Sequence, residues 1–278
     1  MNKEKPLLNF RKIISGILAA LFLIVYIYPI ILVFCSSLKT KKEMALNPSG
    51  LPKNVTFEYF KKAFESMNYL QTIGNTVIIA VIAVALILFF SSMAAYVIAR
   101  KGKSYNWIYF LFLAGMMVPF QMRMTPLYKM ILKMGLMNKL IGVVFVYLGS
   151  LAPMAVFILT GFIKTVPREL EEAAYLDGAG IYRTYFTIVL PLLKSALVTV
   201  AITNALSIWN DFLMPMMFLQ DRDKLTLTVM LSNFRGMYFN DWSMIFAGVC
   251  LIVLPMLIIY LFAQRYIVDG ITGGAVKG

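Results

Sequence analysis

The residues with the clearest chemical pattern lie at positions 164–190, between two long apolar runs. Pro167 is followed closely by three carboxylates, Glu169, Glu171 and Glu172. Proline suits a first helical turn, where its missing N–H costs nothing, and negative side chains favour a helix N-terminus. Gly178 provides a typical helix stop. The spacing therefore predicts a helix of about ten residues, roughly 15 Å long.

One face of this predicted helix carries Leu170, Ala173, Ala174 and Asp177, which are three or four residues apart. Small side chains at the centre of that face allow another surface to approach closely. From composition alone, the alternative is a surface helix with a glycine cap.

Residues suited to catalysis are scarce in the rest of the chain. The sequence contains no histidine, which excludes Ser-His-Asp hydrolysis, HExxH metal sites and histidine-ligated haem. Cys35 and Cys250 lie in apolar runs and form no CxxC pair. Gly102-Lys103-Ser104 resembles the end of a phosphate-binding loop, but that loop needs a glycine where Val97 stands. We therefore interpret these residues as a basic turn and expect no ATP hydrolysis by this chain.

The composition indicates that lipid surrounds much of the chain. Of its 278 residues, 60% are hydrophobic and only 14% are charged, against about 25% in an ordinary soluble domain. A soluble core of this size cannot bury so much apolar surface. The formal net charge of +13 then favours anionic lipid headgroups over nucleic acid as a partner.

Six mostly uncharged windows predict six membrane-spanning helices. About 20 apolar residues cross the hydrocarbon, and a span must be a helix or part of a closed barrel because lipid offers no partners for backbone polar groups. Continuous apolar runs without alternation argue against a barrel. The predicted fold class is therefore all-α, with a single polytopic domain over residues 1–278. The approximate spans are 13–36, 72–98, 105–123, 140–163, 193–217 and 243–264.

The orientation of these spans does not follow from charge. Lysine and arginine are equally divided between the two sides, so the positive-inside rule gives no answer. An even number of spans places both termini on one side of the membrane.

The loop at 164–190 contains a long ordered pattern, Glu172-Ala173-Ala174-x-x-Asp177-Gly178-Ala179, followed by Phe186, Ile188, Leu190 and Pro191. This pattern resembles the EAA loop of ABC importer permeases. Further stretches resemble the sugar-importing members, nearest to the six-span, maltose-type permease: Met117-Val118-Pro119, Pro126-Leu127-Tyr128, Gly135-Leu136-Met137-Asn138, Trp209-Asn210-Asp211-Phe212, Lys224-Leu225-Thr226-Leu227 and residues 264–278. The resemblance covers nearly the whole chain, and Asp211 and Asp269 are small departures from it.

The resemblance implies a type I importer permease fold in the cytoplasmic membrane of a bacterium or archaeon, with both termini cytoplasmic. It implies that residues 164–190 form a cytoplasmic coupling loop that contacts an ATP-hydrolysing partner through Glu171, Glu172, Ala173, Ala174, Asp177, Gly178 and Ala179. It further implies that the C-terminal tail, 265–278, contacts the same partner through Gly273, Gly274, Val276 and Lys277.

The function implied by the resemblance is that of a permease subunit, not an enzyme, which translocates a mono- or oligosaccharide by alternating access. The implied partners are a second, different permease subunit, two ATP-binding subunits and an extracytoplasmic solute-binding protein. ATP and Mg²⁺ would bind to the partner ATPases, and no cofactor is expected in this chain. A polyol, glycerol phosphate or an anionic sugar remain alternative solutes, and Arg123 leaves the anionic sugar open.

Polar and aromatic residues near the outer ends of the third and fifth spans are candidates for the translocation path: Gln121, Tyr128, Trp209, Asn210 and Asp211. A charge at mid-bilayer costs about 2.5–3.5 kcal/mol, so Asp211 is expected to face water or protein. Tryptophan is also common at membrane interfaces, which is the alternative interpretation of Trp209. The nearby methionines suit packing better than metal binding.

Two other classes of function are less compatible with the sequence. A membrane-embedded enzyme needs a convergent pair of catalytic groups within the spans, and the sequence offers none. A self-sufficient channel or carrier would show flux without ATPase partners, and would leave the loop at 164–190 without a role.

Overall fold

The computed structural model describes residues 5–234 and 241–275, and this part of the chain contains helices and turns but no strand. The predicted all-α class is thereby confirmed. The helices are α1 (Lys5–Ser37), α2 (Lys41–Leu46), α3 (Glu58–Ser66), α4 (Tyr69–Lys101), α5 (Asn106–Met117), α6 (Phe120–Lys133), α7 (Leu140–Thr165), α8 (Glu169–Leu176), α9 (Ile181–Thr184), α10 (Leu190–Leu192), α11 (Lys194–Asn210), α12 (Leu213–Phe218), α13 (Leu227–Ser232) and α14 (Trp242–Ala275).

The chain divides into two compact units. The first contains Met1–Tyr69 and Leu231–Leu254, and the second contains Leu70–Met230 and Pro255–Gly278. The boundaries fall at the start of α4, inside α13 and inside α14. The sequence indicates a single domain because no linker-like change of composition marks these positions.

Four helices are long and apolar enough to cross a membrane: α1 from Lys12, α4, α7 and α14 as far as Phe262. Two bent helix pairs, α5 with α6 and the segment Ile181–Leu192 with α11, bring the number to six if each pair is one span. Helices fit this environment because all their backbone hydrogen bonds are internal. The predicted all-α polytopic architecture is therefore confirmed, with six spans when each bent pair is counted as one.

The third predicted span, 105–123, is not one straight helix. Helix α5 ends at Met117, and α6 begins at Phe120 with a bend of 103° between them. Val118 is extended, with φ −76° and ψ 115°, because the following Pro119 disfavours the helical conformation of the residue before it. Pro119 also lacks the N–H that would continue the helix.

The fifth predicted span, 193–217, is interrupted as well. Helix α11 stops at Asn210 because Asp211 is extended, with ψ 132°, and its Oδ1 accepts a hydrogen bond from the Leu213 N–H at 3.0 Å. At its other end, α11 meets the preceding segment at Leu193 with a bend of 73°. The uninterrupted helix is therefore shorter than the sequence indicates.

The core of the second unit joins α4, α7, the π turn at Tyr185–Val189 and α11. Its fully buried side chains are mostly aliphatic: Ile87, Leu159, Ile163, Val189, Leu193 and Val200. Alanines at Ala95, Ala99, Ala155 and Ala196 let the helices approach closely. The core thus places the end of α4 beside the segment that follows α7.

The first unit is held together at the loop after α1. Lys39 is fully buried, and its Nζ donates to the backbone oxygens of Asn47 at 2.8 Å and Pro48 at 3.0 Å. Tyr59 and Ala63 of α3 pack against Ala247 of α14. These contacts hold the segment between α1 and α3 in place, although its regular structure is limited to the six residues of α2.

The last helix continues beyond the end of the sixth predicted span at 264 and reaches Ala275. The predicted tail contacts Gly273 and Gly274 therefore lie in the final turn of α14. Val276 and Lys277 lie outside the described residues.

Candidate functional site

The helix predicted in the loop at 164–190 is present as α8. Its acidic first turn holds Glu169, Glu171 and Glu172, as the spacing indicates. At its end Gly178 has φ +82°, a conformation that glycine adopts without the strain of a side chain. The Ala179 N–H donates to the Ala174 oxygen at 2.9 Å, which completes the C-terminal cap.

Glu171 anchors α8 to the end of α4. Its Oε1 accepts a hydrogen bond from Arg100 Nε at 2.6 Å, and its Oε2 accepts one from the Tyr96 hydroxyl at 2.8 Å. Arg100 also donates to the Val166 backbone oxygen at 3.0 Å. The side chains of Arg100 and Glu171 are only 13% and 7% exposed, so both charges are shielded from water. Both carboxylate oxygens of Glu171 are therefore used inside the chain.

A second contact behind α8 is aromatic. The rings of Tyr96 and Tyr185 have centroids 5.1 Å apart, and the Tyr185 hydroxyl donates to Ser92 Oγ at 2.7 Å. Tyr185 begins the π turn, and α8 packs against this turn and against α9. The end of α4, α8 and the π turn therefore form one packed corner.

This corner changes the list of interface residues expected from the sequence. Glu171 and Ala174 are both buried, at 5% and 7% exposure. In this chain the two side chains help to hold the helix, and their expected contact with a partner stays a prediction. The sequence does not reveal that Arg100 pairs with Glu171 from 71 positions away.

The opposite side of α8, which we call the outer face, is open. It consists of Glu169, Leu170, Glu172, Ala173, Leu176 and Asp177, all of which are exposed. Leu176 is 89% exposed. Four of the expected interface residues, Glu172, Ala173, Asp177 and Gly178, are exposed, and Ala179 is half-buried. A face with carboxylates at its edges and apolar groups between them can receive a partner with basic residues around an apolar surface.

A cavity of about 290 Å³ lies beside α8. Its lining includes charged groups of both signs: Lys101, Arg168 and Glu172. Because Tyr96, Arg100 and Glu171 also line it, a group that enters this cavity contacts the same residues that anchor α8 to α4.

The residues expected along a translocation path have different surroundings. Gln121 is exposed on α6, and Tyr128 stacks on Phe218 with centroids 6.3 Å apart. Trp209 is buried, whereas Asn210 is exposed and donates to the Leu206 oxygen at 2.9 Å.

Asp211 has a structural role that the sequence does not reveal. Its Oδ2 accepts a hydrogen bond from the Tyr147 hydroxyl at 2.9 Å, while its Oδ1 accepts one from the Leu213 N–H at the start of α12. Its backbone oxygen accepts a hydrogen bond from Thr228 Oγ1 at 2.6 Å. Asp211 therefore faces protein, as expected for a charge within a span, and it joins α7, α12 and α13.

Polar side chains that the sequence analysis did not single out hold the loop before α13. Asn75 Nδ2 donates to the backbone oxygens of Asp223 at 2.8 Å and Leu225 at 3.1 Å. Thr76 Oγ1 accepts from the Leu227 N–H at 3.1 Å. Asn75 and Thr76 are buried in α4, where two adjacent polar residues in an apolar helix are the signal that could have identified them.

Metal-binding groups of three or more cysteine, aspartate or glutamate residues do not occur within residues 5–234 and 241–275.

Gly178→Ala is expected to destabilise the protein by about 1–2 kcal/mol, since a side chain at φ +82° is strained. Thermal unfolding of the purified protein measures this change. Gly180→Ala is the matched control, because Gly180 is extended, with φ −72° and ψ 165°, and a Cβ there meets open space. Equal stability of the two variants would contradict the assignment of Gly178 as the cap.

Comparison with known proteins relates the geometry to a family. Residues 87–272 match the family described as "Binding-protein-dependent transport system inner membrane component". The chain is 36% identical over 275 residues to the probable starch degradation products transport system permease protein AmyC of Thermoanaerobacterium thermosulfurigenes, covering 99% of this chain and 97% of that protein. It is 35% identical to the melibiose/raffinose/stachyose import permease protein MelC of Bacillus subtilis, covering 95% and 96%.

The fold matches that of a solved transporter. A chain of the bacterial ABC transporter that imports the acidic polysaccharide alginate superposes with a TM-score of 0.79, covering 96% of this chain and 99% of that chain. The two sequences are 20% identical, so this comparison concerns the fold alone.

Proposed function

Because this chain belongs to the binding-protein-dependent transport system inner membrane component family, we propose that it is the permease subunit of an ATP-driven importer that moves a carbohydrate by alternating access. The observation that carries the proposal is the asymmetry of α8. Its inner side is fixed to α4 by the Arg100–Glu171 pair, and its outer face is exposed. A helix that is rigidly attached to a span and open on its other side is suited to passing motion between two proteins.

The energy for import must come from another chain. Accumulating a solute a thousandfold costs about 4 kcal/mol, at 1.4 kcal/mol for each factor of ten. The sequence lacks a complete phosphate-binding loop, since Val97 stands where a glycine is needed. We therefore assign ATP and Mg²⁺ to two partner ATPase subunits that dock on the outer face of α8.

Coupling requires that the two states of the permease contact the ATPase differently, because a partner shifts an equilibrium only through its difference in affinity for the two states. Movement of α8 would pull on α4 through Glu171 and Arg100, and on α11 through the π turn and the segment that leads into it. The bend at Pro119, between α5 and α6, and the bend at Leu193, before α11, are the breaks at which the helices would change angle. ATP binding would in this way switch the path from inward-open to outward-open.

The remaining partners follow from the kind of importer. A solute-binding protein would deliver the sugar, and the alginate transporter has been solved with a periplasmic protein that carries an alginate pentasaccharide. A second, different permease subunit would complete the path. The apolar side chains of α1, which are largely exposed from Ile13 to Ile31, provide a surface that this subunit and lipid can cover.

A carbohydrate is the favoured solute because the relatives are named for starch degradation products and for melibiose, raffinose and stachyose. Gln121, Tyr128, Trp209 and Asn210 stay our candidates for contacts along the path, whereas Asp211 would shape it through Tyr147. A polyol, glycerol phosphate or an anionic sugar is the alternative.

We place the protein in the cytoplasmic membrane with α8 and both termini on the cytoplasmic side. Because Arg100 pairs with Glu171, the turn after α4 and the loop at 164–190 are proposed to lie on the same side of the membrane. The tail residues Gly273, Gly274, Val276 and Lys277 are proposed to contact the ATPase from the same side.

Reconstitution tests the proposal. The chain, the ATPase and the second permease encoded with it are assembled in proteoliposomes with the solute-binding protein. We expect uptake of a labelled oligosaccharide and ATP hydrolysis that rises when the loaded binding protein is added. Glycerol phosphate and an anionic sugar serve as competing solutes. Uptake without ATP, or hydrolysis that does not respond to any solute, would contradict the proposal.

A further inference from the structure

A cavity of about 790 Å³ lies within the first unit. It is lined by Leu32, Lys41, Met44, Ala45, Pro48, Ser49, Asp241, Trp242, Ser243 and Phe246. Its volume is in the range of roughly 300–1,000 Å³ that is typical of small-molecule sites. The wall at Pro48 is fixed, because the buried Lys39 holds the Pro48 oxygen at 3.0 Å.

The polar groups of this cavity are few and well placed. Lys41 Nζ lies 2.7 Å from Asp241 Oδ2, and Asp241 Oδ1 accepts a hydrogen bond from the Met244 N–H at 3.2 Å. The neighbouring Asp241 carboxylate raises the pKa of Lys41, so the ammonium group stays charged at neutral pH. The residue Ser243 is 1% exposed. Within the described part of the chain, its Oγ has no hydrogen-bond partner.

The apolar part of the cavity includes an aromatic surface. Trp242 is half exposed, and its ring lies 6.0 Å from that of Phe246, which supports it from the next turn of α14. The indole therefore adds a flat apolar surface to the lining that also contains the ion pair and Ser243.

We infer that this cavity is a binding subsite for an uncharged oligosaccharide on the extracytoplasmic side of the membrane. This inference rests on the proposed function, which supplies both the sidedness and the class of solute. A sugar ring has an apolar C–H face that packs on an indole, and a rim of hydroxyls that donate to a carboxylate and accept from an ammonium or hydroxyl group. Trp242, Asp241, Lys41 and Ser243 provide these groups together.

The charge of the cavity favours a neutral ligand. Among the described residues, Lys41 and Asp241 are the charged groups of the lining, and their charges cancel at 2.7 Å. A phospholipid headgroup or an anionic sugar would need a free cation, which Lys41 does not offer while it is paired with Asp241. A neutral oligosaccharide can bond to both members of the pair without separating them.

Binding can be measured on the full-length protein in lipid nanodiscs. The probes are three neutral trisaccharides, raffinose, maltotriose and arabinotriose, at millimolar concentrations, and the readouts are tryptophan fluorescence and saturation-transfer NMR of the sugar. We expect at least one probe to bind, Trp242→Ala to weaken its binding by about tenfold, and Ser243→Ala to weaken it by several-fold. Trp107→Ala is the matched control, because Trp107 is 65% exposed on α5 and does not line the cavity.

Three results would overturn the inference: no binding of any probe, binding that Trp242→Ala leaves unchanged, or a phospholipid that native mass spectrometry finds retained by the wild type and lost from Trp242→Ala. Its failure is distinguishable from failure of the proposed function. If the reconstituted importer takes up sugar while both cavity variants behave as wild type, the subsite is wrong and the transport function stands. If no sugar is taken up in that assay, the proposed function fails.

Discussion

Arg100→Met is expected to destabilise the protein by about 3–5 kcal/mol, because it leaves the Glu171 carboxylate buried without its cationic partner. The same substitution should reduce solute-stimulated ATP hydrolysis in the assembled importer, since α8 loses its rigid attachment to α4. Thermal unfolding of the purified protein measures the first effect, and ATPase assays with and without loaded binding protein measure the second.

A double variant separates stability from coupling. Replacing both Arg100 and Glu171 by methionine removes two buried charges together, which is often neutral or stabilising. We expect this variant to recover most of the stability and to remain poorly coupled. Arg168→Met is the matched control, since Arg168 is exposed and carries the same charge next to α8. Full coupling in the double variant would show that the ion pair only stabilises the fold.

Ala173→Trp is expected to weaken the binding of the ATPase subunits by about 100-fold, or nearly 3 kcal/mol. Ala173 lies at the centre of the outer face and is exposed, so an indole there obstructs a partner without disturbing the packing of this chain. Titration of the purified permease with ATPase subunits measures the affinity.

The neighbouring Ala174→Trp should act differently. Ala174 is 7% exposed, so a large side chain there overpacks the corner between α8 and the chain's own helices, which typically costs 1–3 kcal/mol. Loss of partner binding in that variant would accompany loss of stability and would not report on the interface. Ala173 is therefore the position at which the interface can be tested by itself.

The parts of the fold that depend on local chemistry were predictable from the sequence. Apolar runs indicated the six spans because a helix in lipid needs about 20 apolar residues. The glutamates of the first turn and Gly178 mark the limits of α8, since a helix start and stop depend on the nearest residues, whereas Pro167 lies just before the helix and not in its first turn. The break at Pro119 has the same local origin, although the uncharged window around it indicated one span.

The parts that depend on distant residues were not predictable. Which side of α8 faces the rest of the chain depends on Arg100, which lies 71 positions before its partner Glu171. A periodic pattern of residues contains no information on such a distant partner. The hydrogen bond that the Asp211 carboxylate accepts from Tyr147, 64 positions away, is likewise absent from any local pattern. Lys39 similarly shapes the wall of the cavity in the first unit, because it donates to the backbone oxygens of Asn47 and Pro48. No side-chain motif in the sequence indicates these two hydrogen bonds.

The affinity of ATPase subunits for the Ala173→Trp variant tests the central claim most directly. Ala114→Trp provides the matched control, because Ala114 is an exposed alanine on α5 and does not belong to the outer face. We predict that both variants unfold at the wild-type temperature, and that only Ala173→Trp loses about 100-fold in affinity. Wild-type affinity in a folded Ala173→Trp protein would contradict the assignment of the outer face of α8 as the contact with the ATPase.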